Sequence, residues 1–346
     1  MKLNSLQLRK ALSVALFVLM LSMVGTKNAL AQNQVAILQH NDILSAFYGP
    51  DALSLAHLAA ADGDTITLSS GNFNGCTLSK AVTIHGAGCV EDVVSFRSPT
   101  YINSVLLGKT DGIMPLTVEG VWFGQVEHSA GAGHTDVNIR FIRCNINSFI
   151  HTNGAVIGSI RDVYFDNCII KEFESTKMMA IIFQNSVVRL TGYGQLSENN
   201  MNIINNSVVC FPDALSIENT RVYNSILATA NGNTAPNSTF YNCIEIQTGD
   251  SNIFEGHLNE SNMQVNSYEE VFRTFDGTVD YNENYQLKNS IANSFLGNDG
   301  TEVGIHGGML PYNSRPHYMI IRNTNVAGRT TNDDKLNVEI ELIQGN

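Results

Sequence analysis

The chain has 346 residues, and its 32 acidic and 20 basic side chains give a formal net charge of −12. This balance argues against nucleic-acid binding, which depends on basic side chains that contact phosphates. The net negative charge also repels polyanions at long range, so an acidic polysaccharide would need a local basic cleft or a bound cation.

Residues 1–31 are predicted to be a secretory signal peptide. A basic leader precedes an apolar run at 11–25, and Ala29-Leu-Ala31 forms a small-x-small cleavage site. The apolar run is shorter than the roughly 20 residues that span a bilayer. We therefore expect export to the periplasm, the cell surface or the medium, with no transmembrane segment in the mature chain. Residues 1–31 contain four basic and no acidic residues, so the formal net charge of the mature chain is (20−4)−32 = −16.

The mature chain is predicted to begin with a capping helix. Pro50 and Asp51 mark its start, and Leu53, Ala56 and Ala60 share an apolar face through residue 61. His57 lies on the same face and is interpreted as a partnered structural histidine. The helix is expected to plug the open end of the fold that follows, because a first coil otherwise exposes its core and strand edges.

The next segments have the pattern of strands. Thr65-Ile-Thr-Leu68 alternates, Ser69-Ser-Gly71 is typical of a turn, and Val82-Thr-Ile84 is a second strand closed by glycine.

A short phrase then recurs six times between residues 141 and 243. An apolar residue comes first, Asn comes third in all copies but one, and a small Cys or Ser closes the phrase. The copies are Phe141-Ile-Arg-Cys144, Phe165-Asp-Asn-Cys168, Phe183-Gln-Asn-Ser186, Ile204-Asn-Asn-Ser207, Val222-Tyr-Asn-Ser225 and Phe240-Tyr-Asn-Cys243. A period of about 20 residues indicates a solenoid whose coils bury their apolar faces by stacking on one another.

Each unit is predicted to be a strand, a tight turn and a second strand, in a parallel β-helix. The first residue points inward, Asn supplies left-handed backbone angles at the turn, and Cys or Ser fits where space is short. Stacked coils should let the Asn side chains hydrogen-bond to one another as a ladder. A leucine-rich repeat shares the period but needs a regular Leu framework, and Ile, Val and Phe fill those positions here.

Two further features extend the pattern. Gly86 and Gly120 are predicted to continue the column of small Cys and Ser residues toward the N-terminus. Residues 127–136 and 147–154 read as excursions from the coils, of the kind that solenoids gather on a binding face.

The six cysteines allow one candidate disulfide, and its formation is left open. Cys144, Cys168 and Cys243 read as buried packing residues, whereas Cys76 and Cys89 flank a predicted strand and are the favoured pair if one exists.

An Ala-rich helix, Gly63-Asp-Thr-Ile-Thr-Leu68, a Gly-x-Phe turn and Val82-Thr-Ile-His-Gly-Ala-Gly88 together resemble the opening of the pectin-lyase-like, right-handed parallel β-helix superfamily. The segment Gly297-Asn-Asp-Gly-Thr-Glu-Val-Gly304 resembles the end of many secreted bacterial members. The likeness covers about residues 50–312. It implies an all-β domain over 32–312 with its N-terminal cap, followed by a C-terminal cap or small appended strand segment at 313–346.

The resemblance also implies two possible enzyme activities, that of a polysaccharide lyase and that of a glycoside hydrolase. Lyases of this superfamily use a Lys or Arg base on uronic-acid polymers, and calcium held by Asp or Glu is the one cofactor it suggests. Residues of those types are present but at different offsets from the Asn column, and the motif set of the superfamily's hydrolases does not occur in order. Enzyme activity is thus left open, with a polysaccharide lyase favoured over a hydrolase.

The favoured hypothesis is a non-catalytic, exported β-helix protein that interacts with glycans or the cell surface. The alternatives are a polysaccharide lyase and a structural or adhesin-like protein, and the oligomeric state is left open. Tyr164, Tyr223 and Tyr241 are expected on the outer surface, where aromatic rings can stack on sugars. The candidate ligand-binding residues, with no metal site assigned, are Glu127, His128, His134, Asp136, Arg140, Arg143 and Lys171.

Overall fold

The fold is known from a computed structural model. It describes residues 34–91, 98–108, 113–129, 135–152, 159–174, 178–191, 195–196, 202–212, 215–250, 252–254, 261–315, 319–326 and 338–344. The predicted signal peptide therefore lies outside the described residues.

Two long sheets of parallel strands form the body of the molecule, and the chain alternates between them. The first sheet contains β3 (Thr65–Leu68), β6 (Thr83–His85), β8 (Leu116–Glu119), β10 (Thr135–Ile142), β12 (Ser159–Asp166), β14 (Met178–Gln184), β17 (Asn202–Asn205), β20 (Thr220–Tyr223) and β22 (Thr239–Tyr241). The second contains β4 (Gly71–Phe73), β5 (Cys76–Leu78), β7 (Thr100–Leu107), β9 (Trp122–Ser129), β11 (Asn145–Thr152), β13 (Ile169–Glu174), β15 (Val187–Thr191), β18 (Val208–Cys210), β21 (Ile226–Thr229), β23 (Ile244–Gln247) and β24 (Met263–Val265).

The remaining elements lie at the ends and edges. They are β1 (Val35–His40), β2 (Ile43–Tyr48), β16 (Gln195–Leu196), β19 (Ser216–Ile217), β25 (Met319–Val326), β26 (Val338–Gln344), and the helices α1 (Ala52–Ala59), α2 (Tyr268–Val271) and α3 (Asn289–Ala292). β25 and β26 pair antiparallel as a two-stranded sheet. The predicted all-β parallel β-helix is confirmed, whereas the domain boundaries stay a prediction.

The repeated phrase sets the register of the coils. Phe141 pairs with Phe165, and Phe165 with Phe183, so these side chains superpose inside the solenoid. Their ring centroids are 5.3 Å and 5.2 Å apart, and all three rings are buried. The first residue of each phrase therefore points into the core, as predicted.

The Cys and Ser column forms a hydrogen-bonded ladder. The backbone N–H of Ser186 donates to Ser207 Oγ, and that of Ser207 donates to Ser225 Oγ, both at 3.1 Å. The N–H of Cys168 donates to Ser186 Oγ at 3.0 Å. These residues are near neighbours along the stack, which confirms their predicted superposition.

The Asn turn is confirmed, but the predicted Asn ladder is wrong. Asn167, Asn185, Asn206, Asn224 and Asn242 all have φ between 45° and 55°. A left-handed residue at this corner aims its side chain away from the coil, so the amides meet another part of the chain instead of one another.

That part is residues 266–313, which we call the C-terminal strap. Asn185 Nδ2 donates to the carbonyls of Ile305 and Gly307 at 3.0 and 2.8 Å. Asn224 exchanges two hydrogen bonds with Asn298, at 3.0 and 2.9 Å. The strap thus runs along the corner between the two sheets.

The glycine column is displaced by one residue from its predicted place. Glu119 pairs with Ile142, so Gly120 aligns with Arg143 in the turn column and Val121 aligns with Cys144. Gly120 has φ 68°, as the turn requires. Gly86 follows the strand that pairs with β8 and aligns with Gly120.

Both predicted excursions prove to begin within strands. Glu127 and His128 belong to β9, and Asp136 belongs to β10. Residues 147–152 continue β11. The Gly-rich composition masked the period-2 alternation, in which Val126 is buried in the core and Glu127 is half-exposed.

The N-terminal cap is larger than the predicted helix. α1 packs beside a hairpin in which β1 pairs antiparallel with both β2 and β3, so it covers the edge of the first coil. His57 is buried, and its Nε2 accepts a 3.4 Å hydrogen bond from the backbone N–H of Lys80. The structural role predicted for His57 is confirmed.

All six cysteines are free thiols, so the favoured Cys76–Cys89 disulfide is not formed. Cys76 lies in β5 and is half-exposed, whereas Cys89 is fully buried and its Sγ contacts the carbonyl of Ser314. The two residues pack against different parts of the chain.

Candidate functional site

The outward side chains of the first sheet form two columns in register. One follows the strand ends and contains Thr67, His85, Glu119, Ile142, Asp166, Gln184, Asn205, Tyr223 and Tyr241. The other contains Thr65, Thr83, Thr117, Arg140, Tyr164, Ile182, Ile203, Arg221 and Thr239. Neighbouring rungs of a sheet are about 4.8 Å apart, so both columns present regularly spaced groups.

Two tyrosines stack on each other near the C-terminal end of this face. The rings of Tyr223 and Tyr241 stack with centroids 5.3 Å apart and planes within 10°. Tyr241 is 39% exposed. The spacing that produces this pair is visible in the sequence, because both tyrosines precede the turn Asn in coils of 18 residues. Their outward placement, and that of Tyr164, agrees with the prediction.

Polar side chains continue the column beyond the tyrosines. Asn205 Nδ2 donates to Gln184 Oε1 at 3.0 Å, and Asp166 Oδ1 accepts a 2.7 Å hydrogen bond from Asn167. One of these hydrogen bonds runs along the column and the other comes from the adjacent turn, and together they orient the two amides and the carboxylate. Such a row offers both donors and acceptors to a ligand that lies along the sheet.

The outer face of the second sheet is different, because the C-terminal strap covers much of it. Its outward column is apolar, with Ile169, Val187, Val208, Ile226 and Ile244. These residues form a second hydrophobic core with strap residues, among them Val271, Phe272, Phe275, Tyr285, Leu287, Val303 and Ile305. A sheet buried on both faces is expected to have continuous apolar strands rather than alternating ones.

The predicted ligand-binding residues are distributed over both sheets. Asp136 and Arg140 lie in β10 of the first sheet, and Arg140 is exposed in the column beside Tyr164. Glu127 lies in β9 of the second sheet and accepts a 2.7 Å hydrogen bond from Gln125. His128, in the same strand, is buried. His134 lies outside the described residues.

Arg143 and Lys171 are both engaged by the chain itself. Arg143 is only 4% exposed; its Nη1 lies 3.3 Å from Glu119 Oε1, and its Nε donates to the carbonyl of Asn313 at 2.9 Å. Lys171 Nζ lies 3.3 Å from Asp280 Oδ2 and 4.2 Å from the ring centroid of Tyr281. The structure thus places the described candidates on two sheets and a corner, and the side chain of Arg140 is exposed on the tyrosine-bearing face.

A groove that the sequence did not predict lies between the second sheet and the strap. It has a volume of about 630 Å³, and Lys171 and Arg189 line it together with strap residues from Tyr268 to Val279. The two cations are recognisable in the sequence, but the strap that closes the groove has no repeat to reveal where it packs.

No metal site emerges within the described ranges, where His, Cys, Asp and Glu do not gather in groups of three or more. The calcium expectation that came with the family resemblance stays a prediction. Of the carboxylates near the basic residues, Asp166 accepts from Asn167 and Asp162 is exposed beside Arg161. In the part of the chain that the structure describes, no helix is long and apolar enough to cross a bilayer.

The fold and this face define a parallel β-helix protein with one open and one covered sheet. No protein-family model, curated protein or solved structure shows significant similarity to the chain. The pectin-lyase-like resemblance therefore rests on the sequence motifs alone.

Proposed function

We propose that this protein is an exported β-helix protein that binds a glycan along the outer face of its first sheet, without turnover. The observation that carries the proposal is the stacked pair of Tyr223 and Tyr241, which continues in register into the amides of Asn205 and Gln184. Aromatic rings can pack against the apolar faces of sugar rings, and the amides can pair with hydroxyl groups. Export rests on the basic leader and apolar run of residues 1–31.

Binding is favoured over lyase activity by the positions of the basic residues. A catalytic base must be within hydrogen-bond reach of the proton that it removes. Arg143 is buried against Glu119 and the strap, and Lys171 is held by Asp280. Arg140 and Arg221 are exposed on the open face and can donate hydrogen bonds to a bound chain.

The test is a glycan array probed with the mature chain, followed by titration of the strongest ligand. Tyr241→Ala should raise Kd about tenfold, which corresponds to about 1.4 kcal/mol. The matched control is Tyr48→Ala, because Tyr48 is 66% exposed in β2, the strand at the opposite end of this sheet from Tyr241.

Three results would count against the proposal. The first is no sugar bound on the array, which would favour a structural or adhesive role. The second is equal losses in the Tyr241 and Tyr48 variants. The third is ultraviolet absorbance of unsaturated oligosaccharides released from a uronate polymer, which would restore the lyase.

A further inference from the structure

The groove beneath the strap has the dimensions of a small-molecule site. Its volume of about 630 Å³ lies within the range of roughly 300–1,000 Å³ typical of ligand pockets. One wall comes from residues of the second sheet, and the other comes from Tyr268 and residues 276–279 of the strap. It is separate from the tyrosine-bearing face, which belongs to the first sheet.

Part of the groove's wall is apolar. Cys210 and Val279 are both buried, and the ring of Tyr268 packs edge-on against Phe275 with centroids 5.4 Å apart. Gly277 also packs closely against that ring, since a Cβ at this position would lie 2.7 Å from Tyr268. The aromatic wall is therefore held in place before any ligand arrives.

Cys210 serves as a wall and not as a nucleophile. Burial raises the pKa of its thiol to about 12, in spite of a hydrogen bond with Tyr268 and the nearby positive charge of Arg189. The reactive form of a cysteine is the thiolate, which is scarce at neutral pH when the pKa is raised. We therefore expect the groove to bind a ligand without covalent chemistry.

The two cations of the groove differ in their pairing. Lys171 is neutralised by Asp280 at 3.3 Å. Arg189 is half-buried, pairs in register with Cys210, and makes no hydrogen bond or ion pair with any described residue. A guanidinium removed from water without a partner costs free energy, and its planar fork matches a carboxylate through two parallel hydrogen bonds.

The carboxylates that line the groove lie at its rim. Glu172 and Asp276 are both exposed to solvent, where water and salt screen their charge. Asp276 also accepts a 2.9 Å hydrogen bond from the N–H of Thr278. Their repulsion of an anion is expected to be weaker than the attraction by the more deeply placed Arg189.

From this arrangement we infer that the groove is a binding site for a small organic anion, whose carboxylate pairs with Arg189 and whose apolar body packs against Tyr268, Cys210 and Val279. The inference is independent of the glycan proposal, because it involves the other sheet.

The experiment is calorimetric titration of the mature chain with naphthoate, and with the neutral naphthamide as the ligand control. Naphthoate should bind saturably with Kd below about 1 mM, and naphthamide at least about tenfold more weakly. Arg189→Gln should weaken naphthoate binding about tenfold, and Arg189→Lys should give an intermediate loss. Arg161→Gln removes the same charge from an exposed position of the first sheet and should leave Kd unchanged.

A fourth variant tests whether the negative charge of Glu172 opposes binding of the anion. Glu172→Gln should leave naphthoate binding unchanged or tighten it, because it removes a like charge from the rim. Weaker binding in Glu172→Gln would overturn the inference, as would no saturable naphthoate binding, equal affinity for naphthamide, or an unaltered Kd in Arg189→Gln. Circular dichroism of each variant confirms that it is folded.

Discussion

At the scale of single residues, four of the five turn asparagines have two tasks. Their backbone adopts left-handed angles, and their amides form hydrogen bonds with the strap; they are Asn167, Asn185, Asn224 and Asn242. Asn185 shows both, with φ 45° and two hydrogen bonds to the carbonyls of Ile305 and Gly307. The repeated asparagine therefore serves the contact with the strap as well as the turn of the coil, although the sequence pattern alone indicates only the turn.

Substitutions at Asn185 should separate these tasks. Asn185→Gly keeps the backbone angles but removes the two hydrogen bonds to the strap and a third that Oδ1 accepts from Gln184 Nε2. It should lower the free energy of unfolding by about 2 kcal/mol. Asn185→Ala adds left-handed strain and should cost about 1 kcal/mol more. Urea unfolding of both variants measures the difference.

Asn41→Gly is the matched control. Asn41 also has positive φ, at 53°, but lies in the exposed turn between β1 and β2. Its replacement should change stability by less than about 0.5 kcal/mol. An Asn185→Gly variant as stable as the Asn41→Gly variant would show that the strap bonds contribute nothing.

At the scale of elements, the N-terminal cap is fixed by Lys80 and His57. Lys80 Nζ donates to the carbonyls of His57, Leu58 and Ala60, which end α1. Cations at a helix C-terminus are stabilising. Burial, and secondarily the charge of Lys80, lowers the pKa of His57 to about 4.

This shift makes the cap sensitive to acid. Because the folded pKa lies below the ordinary value of 6.5, the unfolded chain takes up the proton first, so stability falls between pH 6.5 and about 4. The loss should reach about 3 kcal/mol relative to its value above pH 6.5. His57→Gln should remove this part of the pH dependence, as seen by comparing unfolding curves of both proteins at pH 7 and pH 4.5. Parallel pH profiles of the two proteins would show that His57 is not buried in its neutral form.

Elements with a repeat or an alternation could be predicted from the sequence, and the rest could not. The coils, α1, β3 and the outward tyrosines follow from period and pattern. The hairpin of β1 and β2 was missed, since its alternation is weak and five of the six residues of β2 are exposed. The course of the strap depends on contacts between residues more than 100 positions apart, such as Asn185 with Ile305, which a single sequence does not reveal.

At the scale of the whole molecule, the strap decides which surface is free. It buries the apolar outward column of the second sheet and leaves the columns of the first sheet to face outward. The candidate residues predicted from the sequence were therefore divided between a covered and an open sheet. Composition and spacing indicate how many coils stack, but not which of their faces the rest of the chain covers.

Cysteine labelling tests this division most directly. Val208→Cys is a conservative change in the covered column, where Val208 is 1% exposed, and Arg221→Cys introduces a thiol on the open face. Peptide-resolved mass spectrometry reports the labelling rate at each position under native conditions. The thiol at 221 should react at the rate of an exposed thiol. The thiol at 208 should react at least about a hundredfold more slowly, which corresponds to an opening free energy of about 2.7 kcal/mol. Equal rates at the two positions would show that the strap does not cover the second sheet.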